Sequence, residues 1–224
     1  MEKLIVGNLK NYMDAYDTSM YLKQIDKIEN VVLCPSNIFI PYFLNKKFEV
    51  GIQNIYLNDK ICTGEINAKQ AKSLGISYVI VGHSERRTNF IETNIVVNYK
   101  IKEALKNNLK VILCIGETLE EKQNNKTFEV LEKQLNECLK DISEEVIIAY
   151  EPIWAIGTNV VPSIVEIQTN INKIKEIKNS KVLYGGSVNS GNISEIIKVT
   201  DGVLIGKAST DVVEFLKIIE VVSS

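Results

Sequence analysis

Histidine occurs once in the 224 residues, within Val81-Gly82-His83-Ser84-Glu85-Arg86-Arg87. Any step that needs an imidazole, whether as base, electrophile or metal ligand, must use His83. No second histidine exists to build a histidine-rich metal site. The preceding Tyr78-Val79-Ile80-Val81 reads as a buried strand, which puts the ring at a strand's C-terminal end, where parallel α/β folds place their chemistry. Glu151 has a similar context, after Val146-Ile147-Ile148-Ala149-Tyr150 and before Pro152-Ile153-Trp154-Ala155-Ile156-Gly157-Thr158. A carboxylate directly after a buried strand is desolvated, which raises its pKa toward the range useful to a general base. The apolar segment behind it carries the chain's only tryptophan. Bounded by Pro152 and a Gly-Thr-Asn turn, it has the composition of a water-excluding lid. Asn8 and Lys10 add an amide and a cation after the first strand pattern. Gly185-Gly186-Ser187 and Gly206-Lys207-Ala208-Ser209 form turns whose backbone N–H groups suit an anion. Each feature also has a plainer account. Taken alone, His83 reads first as a hydrogen-bonded corner residue, Glu151 as a helix cap with Trp154 in the core, and a Gly-Gly turn as simple turn chemistry.

Short β-branched runs that would position these residues alternate with helical patterns along nearly the whole chain. Strands are expected at Leu4–Gly7, Val31–Cys34, Glu49–Gln53, Tyr78–Val81, Lys110–Ile115, Val146–Tyr150, Lys181–Tyr184 and Gly202–Ile205. Several are apolar on both faces, as parallel strands covered on both sides must be. Between them, Ile95–Leu105 sets Ile95, Tyr99, Ile101 and Leu105 at helical spacing. Ile164–Ile177 does so with Ile164, Ile167, Ile171, Ile174 and Ile177, and Phe128–Leu139 with Leu131, Leu135 and Leu139. Eight βα units without a visible break point to an α/β fold, a closed eight-stranded parallel (β/α)8 barrel formed by residues 1–224 as a single domain; a doubly wound open sheet is the alternative. In such a barrel the strand ends converge on one mouth, with Gln53-Asn54 among them, and the turns after strands seven and eight are the usual phosphate site. The polar loop Asn54–Glu65 is long for a βα connection, and loops of that length often serve binding or assembly.

Bulk composition narrows the partners. With 45% hydrophobic and 24% charged residues the chain has an ordinary globular make-up. A net charge of −2 argues against nucleic acid or an acidic membrane as the main partner. Met1-Glu2-Lys3 leads straight into a strand pattern, so no secretory leader is expected, and no stretch approaches the roughly 20 apolar residues of a membrane span. Cys34, Cys62, Cys114 and Cys138 show no CxxC spacing. With Cys34 and Cys114 inside strand runs, reduced thiols and a cytoplasmic location are expected.

Taken together, Asn8-Leu9-Lys10, Gly82-His83-Ser84-Glu85-Arg86-Arg87, Ala149-Tyr150-Glu151-Pro152-Ile153-Trp154-Ala155-Ile156-Gly157-Thr158 and Tyr184-Gly185-Gly186-Ser187-Val188 closely resemble the triosephosphate isomerases. Cys114-Ile115-Gly116-Glu117 and Thr63-Gly64-Glu65 are similar too, and the motifs run in the family's order from residue 8 to residue 209. The resemblance implies interconversion of dihydroxyacetone phosphate and glyceraldehyde 3-phosphate through an enediol(ate), without metal or organic cofactor. Glu151 would be the base, His83 the neutral electrophile, and Lys10 and Asn8 the charge-neutralising and hydrogen-bonding groups. Ser84, Glu85 and Cys114 would support them, Glu85 by orienting Lys10. The phosphate would lie on backbone N–H groups near Gly157, Ser187, Gly206 and Lys207. It also implies a homodimer through the Asn54–Glu65 loop; from the charge and the lack of a long apolar stretch, no nucleic acid or membrane partner is expected. Two departures stand out: Gly206-Lys207 replaces a Gly-Gly pair, and Asn159-Val160-Val161-Pro162 follows the lid where a Gly and a short polar turn are usual. Lys207 offers its N–H only if its backbone suits a residue with a Cβ, while Asn159 tolerates left-handed geometry better than most. Competing readings are a Schiff-base aldolase on the same fold, which would want a lysine where Glu151 stands, and a non-enzymatic sugar-phosphate-binding barrel.

Overall fold

The computed structural model describes residues 3–158 and 160–223. Eight strands follow the apolar runs: β1 Leu4–Asn8, β2 Val31–Cys34, β3 Glu49–Ile52, β4 Tyr78–Val81, β5 Lys110–Ile115, β6 Ile147–Tyr150, β7 Val182–Tyr184 and β8 Gly202–Ile205. Each matches its expected span to within a residue at either end. They pair in sequence order, all parallel, and close when β1 meets β8 from Leu4↔Gly202 to Gly7↔Ile205. That last pairing excludes the open doubly wound sheet.

Two cores account for the doubly apolar strands. One set of strand residues, including Val6, Val32, Ile80, Ile112, Cys114, Ala149, Leu183 and Leu204, fills the barrel interior. Their neighbours in sequence, such as Ile5, Leu33, Val79, Val81, Leu113 and Ile148, face outward under the helices, as the period of two along a strand requires. Side chains of Ile167, Ile171 and Ile174 bury one face of the helix Ile164–Ile177, whose start is capped by Ser163 accepting from the Glu166 N–H. The helix Thr127–Cys138 buries Leu131 and Leu135 as its spacing predicts.

The helix Asn94–Lys106 corrects its predicted face. It buries Val97, Ile101 and Ala104 together with Asn98, Lys100 and Glu103, while Ile95 and Tyr99 are exposed. Its polar residues are inward because each finds a partner. The Asn98 amide donates to the Cys138 and Lys140 carbonyls at 2.9 Å, and Lys100 reaches Glu92 and Asn54 at 2.5 and 2.7 Å. The loop after β3 carries no helix or strand from Asn54 to Glu65. It is tied at its base, where Tyr56 N–H donates to Ile66 O at 2.8 Å, and its Ile61 is fully exposed. No helix of the described residues is long and apolar enough to cross a membrane.

Candidate active site

The mouth of the barrel gathers Asn8, Lys10, His83 and Glu151. Lys10 lies just past β1 with φ +46, a left-handed conformation that non-glycine residues adopt only when their surroundings hold them there. The holding contacts are visible: the Gln53 amide donates to Lys10 O at 2.8 Å and to Cys34 O at 2.9 Å, and the Lys10 N–H donates to Asn8 Oδ1 at 3.2 Å. The Lys10 ammonium meets Glu85 Oε1 at 2.7 Å.

His83 is the N-cap of the helix Ser84–Asn89, and its Nδ1 accepts from the Glu85 N–H at 3.3 Å. A ring nitrogen accepts a backbone N–H only through an unprotonated lone pair. The Glu85 carboxylate, 3.6 Å from Nδ1, is beyond hydrogen-bond reach. The corner itself is fixed from behind. Gly82 has φ +67, and the Arg87 guanidinium donates to Gly82 O at 2.7 Å, Cys114 O at 3.3 Å and Asn94 Oδ1 at 2.6 Å. One planar fork thereby joins the ends of β4 and β5 beside the imidazole.

Glu151 is 3% exposed, with Oε1 3.6 Å from His83 Nε2. Burial raises its pKa above the ordinary carboxylate value, and this outweighs the opposing influences of His83, a hydrogen bond from the Cys114 thiol, and Lys10. Its Oε2 is buried without a hydrogen-bond partner, which leaves one lone-pair face free to take a proton. Glu151 caps no helix: the 3-10 turn Ile153–Ala155 starts from Pro152 with no side-chain cap.

Trp154 lies in that turn, half-buried, and its indole N–H donates to Glu117 Oε1 at 2.8 Å. Burial pushes the Glu117 carboxyl up, and the Tyr150 hydroxyl, which also donates to it, accepts from Asn170 Nδ2 at 2.7 Å. Ser187 Oγ donates to Ala155 O at 2.6 Å, so the turn after β7 touches the Trp154 segment directly. Gly206 sits beside Lys10, since a Cβ on it would be 3.8 Å from Lys10 Cε. Lys207 opens the 3-10 turn Lys207–Thr210 without a positive φ; its backbone suits a residue with a Cβ, and its side chain is exposed. Gly157, with φ +68, is not brought against the others, for nothing lies within 4 Å of an added Cβ there. Asn159 falls outside the described residues.

Four contributors carried no usable signal in the sequence: Gln53 under Lys10, Arg87 behind His83, and Glu117 and Lys122 around Trp154. Gln53 stood at a recognised strand end, and Arg87 and Glu117 inside recognised motifs, but none of these positions specified a contact; Lys122, whose ammonium lies 3.5 Å from the Trp154 ring centroid, stood in no motif. Among the described residues no three His, Cys, Asp or Glu side chains converge in a way that could hold a metal.

The sequence model of the triosephosphate isomerase family matches residues 3–222. A protein named triosephosphate isomerase from Alkaliphilus oremlandii is 43% identical over 242 residues, covering 96% of this chain and 98% of the relative. One of the same name from Thermodesulfovibrio yellowstonii is 38% identical, covering 98% and 99%. Another from Mycoplasma mobile is 36% identical with the same coverage.

Proposed function

The chain belongs to the triosephosphate isomerase family, and on that premise we propose that it interconverts dihydroxyacetone phosphate and glyceraldehyde 3-phosphate by proton transfer at the mouth of its barrel. The observation that carries the residue roles is the facing pair Glu151 and His83. One is a buried carboxylate with a raised pKa, the other an imidazole whose Nδ1 takes the Glu85 N–H and whose Nε2 lies 3.6 Å from the carboxylate.

Glu151 removes a proton from the carbon beside the carbonyl, and the electron pair moves onto the carbonyl oxygen. His83 Nε2–H hydrogen-bonds that oxygen as negative charge develops. The proton held by Glu151 then returns to the neighbouring carbon while His83 relays a proton between the two oxygens. No electron or atom is gained overall, so no cofactor is needed. This family is itself the standard illustration of a glutamate base beside a histidine kept neutral by a helix N-terminus. Here the support for that tautomer is the Glu85 N–H on Nδ1. Lys10 compensates the enediolate and phosphate charge, with Asn8 as a hydrogen-bonding neighbour. A lysine able to form a Schiff base is missing from the end of β6, where Glu151 stands.

The phosphate dianion is assigned to backbone N–H groups near Gly157, Ser187, Gly206 and Lys207. Residues Pro152–Thr158 serve as the lid, with Gly157 joining the site when it closes; closure excludes water and protects the intermediate from phosphate elimination. Two chains are proposed to pair through the Asn54–Glu65 loop, whose exposed Ile61 would find cover there. The buried free thiols of Cys34, Cys114 and Cys138 fit a reducing cytoplasm.

The test is a coupled assay of purified protein with glyceraldehyde 3-phosphate in deuterated water. Turnover accompanied by deuterium at the carbon beside the carbonyl is expected. Absence of turnover would overturn the assignment.

A further inference from the structure

Lys122 stands outside the site described above, near the end of the short helix Leu119–Gln123. Its ammonium lies 3.5 Å from the centroid of the Trp154 ring and 2.6 Å from Glu166 Oε1, on the first turn of Ile164–Ile177. The indole N–H meanwhile donates to the buried Glu117. The ring is therefore held twice, by its edge on a carboxylate and by its face under a cation. That cation is braced in turn by a carboxylate from the helix that follows the lid. Tryptophan is the best side-chain partner for such a cation. None of these contacts involves the mouth residues.

Gly157, near the end of the Pro152–Thr158 segment, is exposed while these contacts are made. Nothing lies within 4 Å of an added Cβ there. A contact present in one lid state and absent from the other shifts the balance between them by its own free energy.

We propose that this conformation is the open lid, and that Lys122, braced by Glu166, is a positioning residue that clips it open through the Trp154 ring and thereby sets how readily it closes. The proposal rests on the lid role given to Pro152–Thr158. Closing must slide the indole out from under the ammonium, so removing the ammonium favours the closed form and tightens ligands that require it.

Trp154 is the only tryptophan, so its emission reports the clip without interference. The probe is 2-phosphoglycolate, whose carboxylate carries the charge of an enediolate. In Lys122→Ala the free-protein emission maximum moves, the Kd of the probe falls about threefold and KM falls with it. Lys122→Arg keeps a cation over the ring and restores wild-type values. Glu166→Gln, which removes only the brace, shifts the Kd the same way by less. A Kd in Lys122→Ala that stays or rises overturns the proposal, as does Lys122→Arg behaving like Lys122→Ala. A wild-type chain without turnover would instead overturn the reading beneath it, and the fluorescence measurements separate the two because they need no turnover.

Discussion

Gly185 offers a way to move the proposed base without changing it. An added Cβ there would lie 2.5 Å from Glu151 Cγ and 3.0 Å from Oε1, with ordinary van der Waals contact beginning near 3.4 Å. Gly185 has no positive φ, so alanine suits the backbone and the perturbation is steric alone. Relief requires the Glu151 side chain to retreat by about 0.9 Å, because the β7 backbone is fixed by Gly185 N–H donating to Tyr150 O at 2.9 Å. A displacement of roughly 1 Å in a reacting group costs on the order of 100-fold in rate. Overpacking a buried site costs about 1–3 kcal/mol of stability, which a closed barrel survives. Gly185→Ala is therefore expected to lower kcat about 100-fold with KM nearly unchanged, measured in the coupled assay, while thermal unfolding stays cooperative. A kcat within threefold of wild type would refute the reasoning. So would a rise in KM at constant kcat, for either means that the clash is relieved away from the carboxylate.

Glu151 must be ionised to accept a proton, so kcat/KM falls as pH drops through its folded pKa; burial places that acid limb above the value of an exposed glutamate, about 4.3. Its raised pKa favours the fold below the unfolded value, an advantage lost as pH rises through the folded one. Glu151→Gln should therefore melt higher than wild type at pH 7, with the gap closing toward pH 4, while kcat falls roughly 10²–10⁴-fold. A 15N spectrum of His83 at neutral pH should show one protonated and one unprotonated ring nitrogen. Protons on both would refute the neutral electrophile. Gln53→Ala frees the Lys10 carbonyl and relaxes its left-handed backbone. It should lower kcat/KM about tenfold and stability by about 1–2 kcal/mol, read by steady-state kinetics and denaturant unfolding.

The strands, the closure and the mouth residues were legible because each depends on short-range pattern. β-branched runs mark buried strands, and the residue after each run faces the mouth whatever the rest of the chain does. Lys10, Glu85, His83 and Glu151 are found together for that reason. The face of Asn94–Lys106 was not legible, since Ile95 and Tyr99 satisfy helical spacing as well as Val97 and Ile101 do. What decides between them is the burial of Asn98 and Lys100 on partners 40 and 46 residues away. The surroundings of Trp154 were hidden for the same reason. Glu117 and Lys122 reach it from the β5 side of the barrel, and no local period announces a contact across 37 residues.

Closure of the barrel through β1 and β8 also governs how the protein is made. Strand β1 leaves the ribosome long before its partner from Gly202 to Ile205. Until then the growing sheet has two bare edges, an arrangement prone to pairing with other chains. The turn beside Lys10 also waits for Gly206, so a nascent chain stopped before β8 holds His83 and Glu151 but lacks that turn. The mouth is thus complete only with β8.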